Sequence, residues 1–328
     1  MTRIGLIDPA LYTHAGTTSP NIGDQVISRA VQRELRAIFG DAAEFEAVPS
    51  HQYPSYSAVD RLARTEHVFV GGSNLLYFRW WRRASWKIGP LGLARYRNLV
   101  LMGAGWGAYD IPPNGYGRWV CRTILAQDRW HSVRDAYTQH MASDGLAVPR
   151  VVNTACPTMW CLTDERLARI PSSRGDECLF ALTDYARDAQ RDGELIRTLS
   201  AHYGGRLLFW PQGHGDLDHA RSLGYTGPVL ERSFDALLSL LASGARVDYV
   251  GTRLHAGILC LEHGVRSLIL SVDNRAREIA ADTGLPVVER GDRDALERWI
   301  EQPAPTRLRL PWGDIDRWRD QFRGPKSR

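Results

Sequence analysis

The sequence predicts an α/β protein made of two parallel-sheet units, and three observations carry that expectation. Short β-branched runs alternate with amphipathic stretches, the element order that gives parallel sheets covered by helices. The alternation pauses at a Pro/Ser/Gly-rich segment, Pro171 to Asp176, and then resumes, leaving two halves of about 150 residues, a usual domain size. The chain of 328 residues is 44% apolar and 24% charged, enough for a large core, which excludes disorder as its main state.

In the first half, RIGLID (Arg3 to Asp8) reads as a strand and the pattern from Gly23 to Phe39 as a helix. FEAVP, HVFVG (His67 to Gly71), NLVLMG (Asn98 to Gly103) and a short WHSV read as further strands. In the second half CLFALT, RLLFWP, RVDYVG, RSLILS and PVVE are strands, with helices near Asp188 to Tyr203, Ser233 to Ser243 and Arg253 to His263. The tail PWGDIDRWRDQFRG puts Ile315, Trp318 and Phe322 on one stripe of a short amphipathic helix before a basic end. The expected layout is residues 1–170, residues 171–305, and a C-terminal helix and tail over 306–328. The ligand site is expected in the cleft between the two units, near the C-terminal ends of the strands.

Composition narrows the classes. No run of about 18 apolar residues occurs, and Met1 to Asp8 lacks a charged region followed by an apolar stretch, so no spanning helix or secretory signal is read and the expected location is the cytoplasm. Cys121, Cys156, Cys161, Cys178 and Cys260 form no CxxC pair and fit buried reduced thiols better than a disulfide frame or a zinc site. The formal charge is +4, but Lys87 and Lys326 are the only lysines and the other 39 cations are arginines. Codon bias produces such a skew, so the position of an arginine carries an argument and its abundance does not. No recognised nucleic-acid signature, Walker P-loop or GxSxG elbow is present.

The strongest local signal is VDYVGTRLHAGILCLEHG (residues 247–264), a strand, a Gly-Thr turn, and an apolar helix whose start carries Thr252, Arg253 and His255. A helix N-terminus favours an anion and an arginine adds a bidentate fork. Residues two apart on a regular helix point roughly 200° apart, so Arg253 and His255 face one site only if Arg253 still belongs to the turn. The bland alternative is an arginine capping the sheet edge and a histidine bonded to a carbonyl. In SPNIGDQVISRAVQREL, Asn21 and Gly23 form a tight turn and Asp24 stands at the helix start, either as an N-cap or as a carboxylate for a sugar hydroxyl.

Two glycine loops follow strands, Gly71-Gly72-Ser73-Asn74 and Gly103-Ala104-Gly105-Trp106-Gly107. The second fits a dinucleotide pattern, but Pro112 and Pro113 interrupt where its helix should begin, so close backbone approach is the expectation. From Tyr77 to Arg97, aromatic residues interleave with Arg79, Arg82, Arg83, Lys87, Arg95 and Arg97, without an acidic residue between Glu66 and Asp110. That patch suits an anionic membrane surface or a glycan, and equally a basic loop packed on its own domain. Arg134 and Asp135 stand at another strand-to-helix junction, where an internal ion pair is the alternative to ligand binding. HGDLDH (His214 to His219) has metal-like residues at a spacing that fits no usual zinc or calcium loop.

Taken in order, NIGDQ (21–25), HVFVGGSNLL (67–76), LMGAGWG (101–107), SVRD (132–135), VVNTACP (151–157) and VGTRLHAGILCLEHGVRSLILSVDNRAREIAADTGLPV (250–287) resemble the polysaccharide pyruvyl transferase family. The resemblance runs from about residue 20 to 290. It implies two Rossmann-like domains in a glycosyltransferase-B-like arrangement with a central cleft, the first on the acceptor side and the second on the donor side. It also implies transfer of the pyruvyl group of phosphoenolpyruvate to a sugar of a polysaccharide or lipid-linked oligosaccharide, as a ketal, without a metal or redox cofactor.

The chemistry of that donor then assigns roles as expectations. His255 moves the proton, Arg253 clamps phosphate and carboxylate with Arg134, Arg275 and Arg277 as further cations beside Thr252, and Asp24 meets the acceptor hydroxyl from the opposite domain. Asn21, Gly23, Gly72, Ser73, Asn74 and Trp106 are expected at acceptor or loop contacts. A lipid-linked acceptor places the enzyme at the inner face of the cell membrane, touching it through residues 77–97; nucleic acid is not an expected partner. Two other classes fit the same residues: a nucleotide-sugar-dependent glycosyltransferase of the B type, and a non-catalytic scaffold of a polysaccharide assembly complex.

Overall fold

The computed structural model describes residues 2–12, 17–19, 21–78 and 85–323. The chain forms two compact units, one of Met1–Ser19, Ile27–Trp160 and Leu310–Arg328, the other of Pro20–Val26 and Cys161–Arg309. Three differences from the expected boundaries have physical causes. Ile22 and Val26 are buried among Trp210, Tyr249 and Ala256 of the second unit. Leu167 and Ile170 line a pocket with Thr306 and Leu308 of that same unit, which moves the break to residue 160. The segment from Leu310 belongs to the first unit, where Trp318 is fully buried and its indole N–H donates to the Leu101 carbonyl at 3.0 Å.

The first unit runs β1 (Arg3–Asp8), β2 (Leu11–Tyr12), β3 (Thr17–Thr18), α1 (Ile22–Phe39, whose first residues belong to the other unit), β4 (Glu44–Pro49), α2 (Tyr56–Leu62), β5 (His67–Gly71), α3 (Gly89–Arg95), β6 (Leu99–Met102), α4 (Gly115–Ile124), β7 (His131–Val133), α5 (Ala136–His140) and β8 (Val151–Asn153). Its four-stranded sheet has the order β4-β1-β5-β6, all parallel. β7 pairs in parallel with β8, and Val133 bridges to Ala104 just beyond β6. β1 is buried from Ile4 to Asp8, which explains its continuous apolar run: a parallel strand covered on both faces needs no alternation. The helix expected in the tail is α13, formed after the second unit's elements.

Four rings of the interleaved aromatic segment are core rings. Tyr77, Phe78, Trp86 and Tyr96 are buried in the first unit's core with Leu76, Trp106 and Ile124, so their rings are closed to a bilayer. Arg79, Trp80, Trp81, Arg82 and Arg83 lie outside the described residues. Among the described residues no helix is long and apolar enough to cross a membrane.

The second unit runs α6 (Asp164–Leu167), β9 (Glu177–Ala181), α7 (Ala189–Tyr203), β10 (Leu207–Phe209), α8 (Asp216–Ser222), α9 (Phe234–Ala242), β11 (Val247–Gly251), α10 (Leu254–Glu262), β12 (Ser267–Ser271), α11 (Asn274–Thr283), β13 (Val287–Glu289) and α12 (Arg293–Glu301); α13 (Trp312–Asp320) follows. Its five parallel strands have the order β10-β9-β11-β12-β13. The chain therefore winds outward in both directions from β9, and the topological switch falls between the C-terminal ends of β9 and β11. In open parallel sheets, that crevice is where ligands bind. Four of the five thiols, Cys121, Cys156, Cys178 and Cys260, are buried, and burial pushes each of them up, away from thiolate reactivity.

Candidate functional site

A pocket opens at the switch point of the second unit, lined by residues that leave four strands and by the start of α1. Tyr185 follows β9, Gln212 follows β10, Thr252, Arg253 and His255 follow β11, and Asp273 and Arg275 follow β12. Arg253 has an extended backbone (φ −92°, ψ 99°), and the helix begins only at Leu254. The condition set by helical geometry is thereby met: Arg253 still belongs to the turn, and it lines the pocket together with His255. α10 is apolar and buried from Ala256 to Leu261, and its first turn brings His255 to the pocket. Its cap residue, Arg253, makes no side-chain hydrogen bond to the first turn.

The guanidinium expected to grip an anion is already engaged. Arg253 Nε donates to Asp216 Oδ2 at 3.1 Å and Nη2 to Asp216 Oδ1, so the fork is closed by a carboxylate of the same unit. Nη2 also meets Asp184 Oδ1 at 3.2 Å, and the guanidinium carbon lies 5.3 Å from the ring of Tyr185. Burial pushes the Asp184 carboxyl up, but the Gly215 N–H and Arg253 outweigh it and the net shift is downward. Arg275 is bound by the N-cap Asp273 through Nε at 2.7 Å and through Nη2, and it donates to the Tyr185 hydroxyl at 2.7 Å. Burial lowers its pKa, but Tyr185 and Asp273 outweigh this and raise it. The two arginines are thus matched by three carboxylates, and the uncommitted donors of the pocket are mostly neutral ones.

The start of α1 enters this pocket, not one on the opposite side as expected. Ile22 N–H donates to the Gln212 carbonyl at 3.3 Å, and Asn21 Oδ1 accepts from Gly23 N–H at 3.1 Å, the capping position. Asn21 and Gly23 line the pocket, and a Cβ on Gly23 would lie 3.6 Å from His255 Nδ1. Asp24 stands in the first turn of α1, half-buried, and belongs to the same unit as His255. It is not among the lining residues.

Other expected residues fall elsewhere. Arg277 lies two positions beyond Arg275 on α11 and so points away, where it forms a bidentate pair with Glu289 at 2.5 and 2.6 Å. Arg134, in the first unit, is 2% exposed and donates through Nε to Asp135 Oδ2 at 3.1 Å, the internal pair. Trp106 is 1% exposed with its indole N–H on the Ala108 carbonyl, so it offers no face to a sugar. Gly72 and Ser73 both have positive φ, and Asn74 Oδ1 is buried without a partner among the described residues. The HGDLDH motif divides its work: His214 meets Arg232, Asp216 takes Arg253, Asp218 is exposed, and His219 pairs with buried Asp192 at 2.6 Å.

Asp184, Tyr185 and Gln212 are site residues that the sequence reading did not name, and Asp216, read there only as part of a metal-like motif, holds Arg253 instead. In the first unit, beside the loop residue Ser73, His51 Nδ1 donates to the Ser85 carbonyl at 3.2 Å and Nε2 lies 3.2 Å from the Ser73 hydroxyl.

A model of a polysaccharide pyruvyl transferase family matches residues 21–274. No curated protein matches the sequence. Among solved structures the chain is similar to S. aureus MnaA in a co-structure with UDP, at 11% identity over 93% of this chain and 92% of that chain, with a TM-score of 0.49. It is similar to WaaG, a glycosyltransferase involved in lipopolysaccharide biosynthesis, at 13% identity over 98% and 94% (TM-score 0.48). It is also similar to E. coli heptosyltransferase WaaC with ADP-2-deoxy-2-fluoro heptose, at 13% identity over 82% and 88% (TM-score 0.39).

Proposed function

Because the chain belongs to the polysaccharide pyruvyl transferase family, we propose that it transfers the pyruvyl group of phosphoenolpyruvate to two hydroxyls of a glycan sugar as a cyclic ketal, releasing phosphate. The observation that carries this reading is the convergence of His255, Thr252, Arg253 and the first turn of α10 on one pocket at the sheet's switch point. Phosphoenolpyruvate is an enol bearing a phosphate and a carboxylate, so its site needs hydrogen-bond donors for two anions and an acid beside the methylene. The α10 amides, the Thr252 hydroxyl and the remaining Nη1 of Arg253 are the donors, and the positive end of the α10 dipole adds to them. Arg253 itself is chiefly a strut that ties the β11 turn to Asp216 and Asp184.

His255 gives a proton to the methylene carbon, the double-bond electrons forming the new C–H bond. The cationic carbon left behind is attacked by a sugar hydroxyl, whose proton passes to the now neutral imidazole. Phosphate departs with the electrons of its C–O bond, and the second hydroxyl closes the ketal, its proton leaving with phosphate. Of the two hydroxyl protons, one replaces that delivered to the methyl group and one ends on phosphate, so no metal or redox cofactor enters the scheme. Asp24, one residue beyond Gly23, is assigned to orient the acceptor hydroxyl. Phosphoenolpyruvate is a cytoplasmic metabolite, so the reaction belongs there, at the membrane face where the acceptor is lipid-linked.

The test is acceptor-dependent phosphate release from phosphoenolpyruvate, with the ketal methyl followed by NMR. Turnover of a nucleotide sugar in place of phosphoenolpyruvate would move the protein to the glycosyltransferase class.

A further inference from the structure

Gln212 is 1% exposed, and both ends of its carboxamide, Oε1 and Nε2, are buried without a hydrogen-bond partner. Thr252 is 2% exposed, and its hydroxyl is equally unpartnered. Both residues line the switch-point pocket. Among the described residues that line it, they are the two whose buried side-chain polar atoms find no protein partner. A buried polar group left unpaired costs stability, so a fold keeps one where a ligand or an ordered water completes it.

The main chain fixes where these groups sit. Gln212 N–H donates to Asp216 Oδ2 at 2.9 Å, and its carbonyl receives Ile22 N–H, so the backbone is held on both sides. Thr252 N–H is held by the Ala181 carbonyl at 3.0 Å, across the gap between β11 and β9. Neither side chain takes part in these ties. The neighbouring arginines are held by carboxylates, and the pocket's buried unpartnered side-chain atoms are those of one amide and one hydroxyl.

A carboxamide has one donating and one accepting end. The two reactants of the proposed transfer offer the complement: the donor's anionic oxygens accept, and a sugar hydroxyl donates. We infer that Gln212 is the residue at which the two substrates meet, its Nε2–H on an oxygen of phosphoenolpyruvate and its Oε1 holding the O–H of the second sugar hydroxyl until that hydroxyl closes the ketal and its proton leaves with phosphate, with Thr252 as the second neutral donor to phosphoenolpyruvate. This rests on the proposed pyruvyl transfer. It makes Gln212 a positioning residue for the acceptor and a binding residue for the donor, a double role that a site built from arginine forks alone does not have.

Gln212→Leu and Thr252→Val remove the hydrogen bonds with little change of shape, and Thr252→Ser restores the hydroxyl. Each purified variant is compared with wild type in three readouts: thermal midpoint without ligand, phosphoenolpyruvate affinity by calorimetry, and steady-state turnover. The unliganded Leu and Val variants are expected to melt at or above the wild-type temperature, because an unsatisfied polar group has been replaced by an apolar one. Phosphoenolpyruvate affinity is expected to fall about tenfold in each and to return within about threefold in Thr252→Ser. In Gln212→Leu, kcat is expected to fall as well, by about tenfold or more, because the acceptor loses its orienting oxygen. In Thr252→Val the loss appears in KM for phosphoenolpyruvate.

A Gln212→Leu protein that melts far below wild type would mark the amide as structural and overturn the inference. Unchanged affinity and turnover in a well-folded Gln212→Leu would overturn it too, while leaving the proposed function standing. Wild type that does not bind phosphoenolpyruvate at all would remove the proposed function, and this inference with it.

Discussion

Asp216 receives Arg253 on both carboxylate oxygens, while the backbone N–H groups of Asp184, Gln212 and Gly213 donate to the same two atoms at 2.8 to 2.9 Å. One buried carboxylate thus gathers the loops that follow β9, β10 and β11. It sets the arginine as a fixed part of the pocket wall, with its fork turned away from solvent.

Replacing Asp216 by Ala leaves Arg253 charged and buried without its main partner and strands three amides. Breaking a buried pair in this way costs about 3–5 kcal/mol. Urea unfolding of Asp216→Ala is expected to fall by that amount. Arg253→Lys is expected to fail as a conservative change, because an ammonium cannot reproduce the two-pronged contact. A loss below about 1 kcal/mol in both variants would contradict the geometry.

His255 on the first turn of α10 is assigned the proton transfer. His255→Gln is expected to keep the fold and phosphoenolpyruvate binding but to lower kcat by about 10²–10⁴-fold, the usual worth of a general acid. The check is single-turnover kinetics on the folded variant; near-normal turnover removes the assignment.

His131 is buried in the first unit, accepting from Leu101 N–H at 3.2 Å through Nδ1, with Nε2 2.7 Å from the Ala126 carbonyl. A carbonyl can only accept, so Nε2 carries the proton and the neutral ring is fully satisfied. Burial pushes this histidine down from 6.5 to about 4, against the smaller opposing effects of the Ala126 carbonyl and Asp128. Its folded pKa lies below its unfolded one, so the neutral ring contributes full stability above pH 6.5, and that contribution is lost as the pH falls toward about 4. The slope is about 1.4 kcal/mol per pH unit. Stability measured against pH is expected to be flatter in this window for His131→Gln than for wild type; parallel curves would refute the assignment.

The glycine loop after β6 is built for neighbouring side chains. Gly103 has φ +68° and faces Pro157, and a Cβ on Gly105 would lie 2.4 Å from the guanidinium carbon of Arg134, which Asp135 holds in place. Gly105→Ala is therefore expected to destabilise the protein by about 1–3 kcal/mol, the range for overpacking a core. Thermal unfolding measures it, and an unchanged midpoint would mean that Arg134 moves aside freely.

Much of this architecture was legible because buried parallel strands leave unbroken apolar runs. SLILS and VDYVG are buried along their whole length, and the sequence reading places both. Arg253 and His255 were legible as a pair because a strand, a turn and an apolar helix are all local signals. Asp216 was not legible as the partner of Arg253, since 37 residues separate them and only sheet order places β10 and β11 on either side of β9. Gln212 gave no signal for the same reason.

Asp24 was expected on the other domain because chain order places α1 there. The burial of Ile22 and Val26 against Trp210 and Tyr249 decides otherwise. The rings of Tyr77, Trp86 and Tyr96 looked like a surface patch because arginines lie between them. Irregular core segments have no period to distinguish them from such a patch.

The most direct test of the account is protection against thermal unfolding by phosphoenolpyruvate, run beside UDP- and GDP-sugars and inorganic phosphate. A ligand that binds only the native state raises the midpoint with concentration. The account predicts a dose-dependent rise with phosphoenolpyruvate that exceeds the rise with phosphate and shrinks in Thr252→Val. A rise with a nucleotide sugar and none with phosphoenolpyruvate would contradict it.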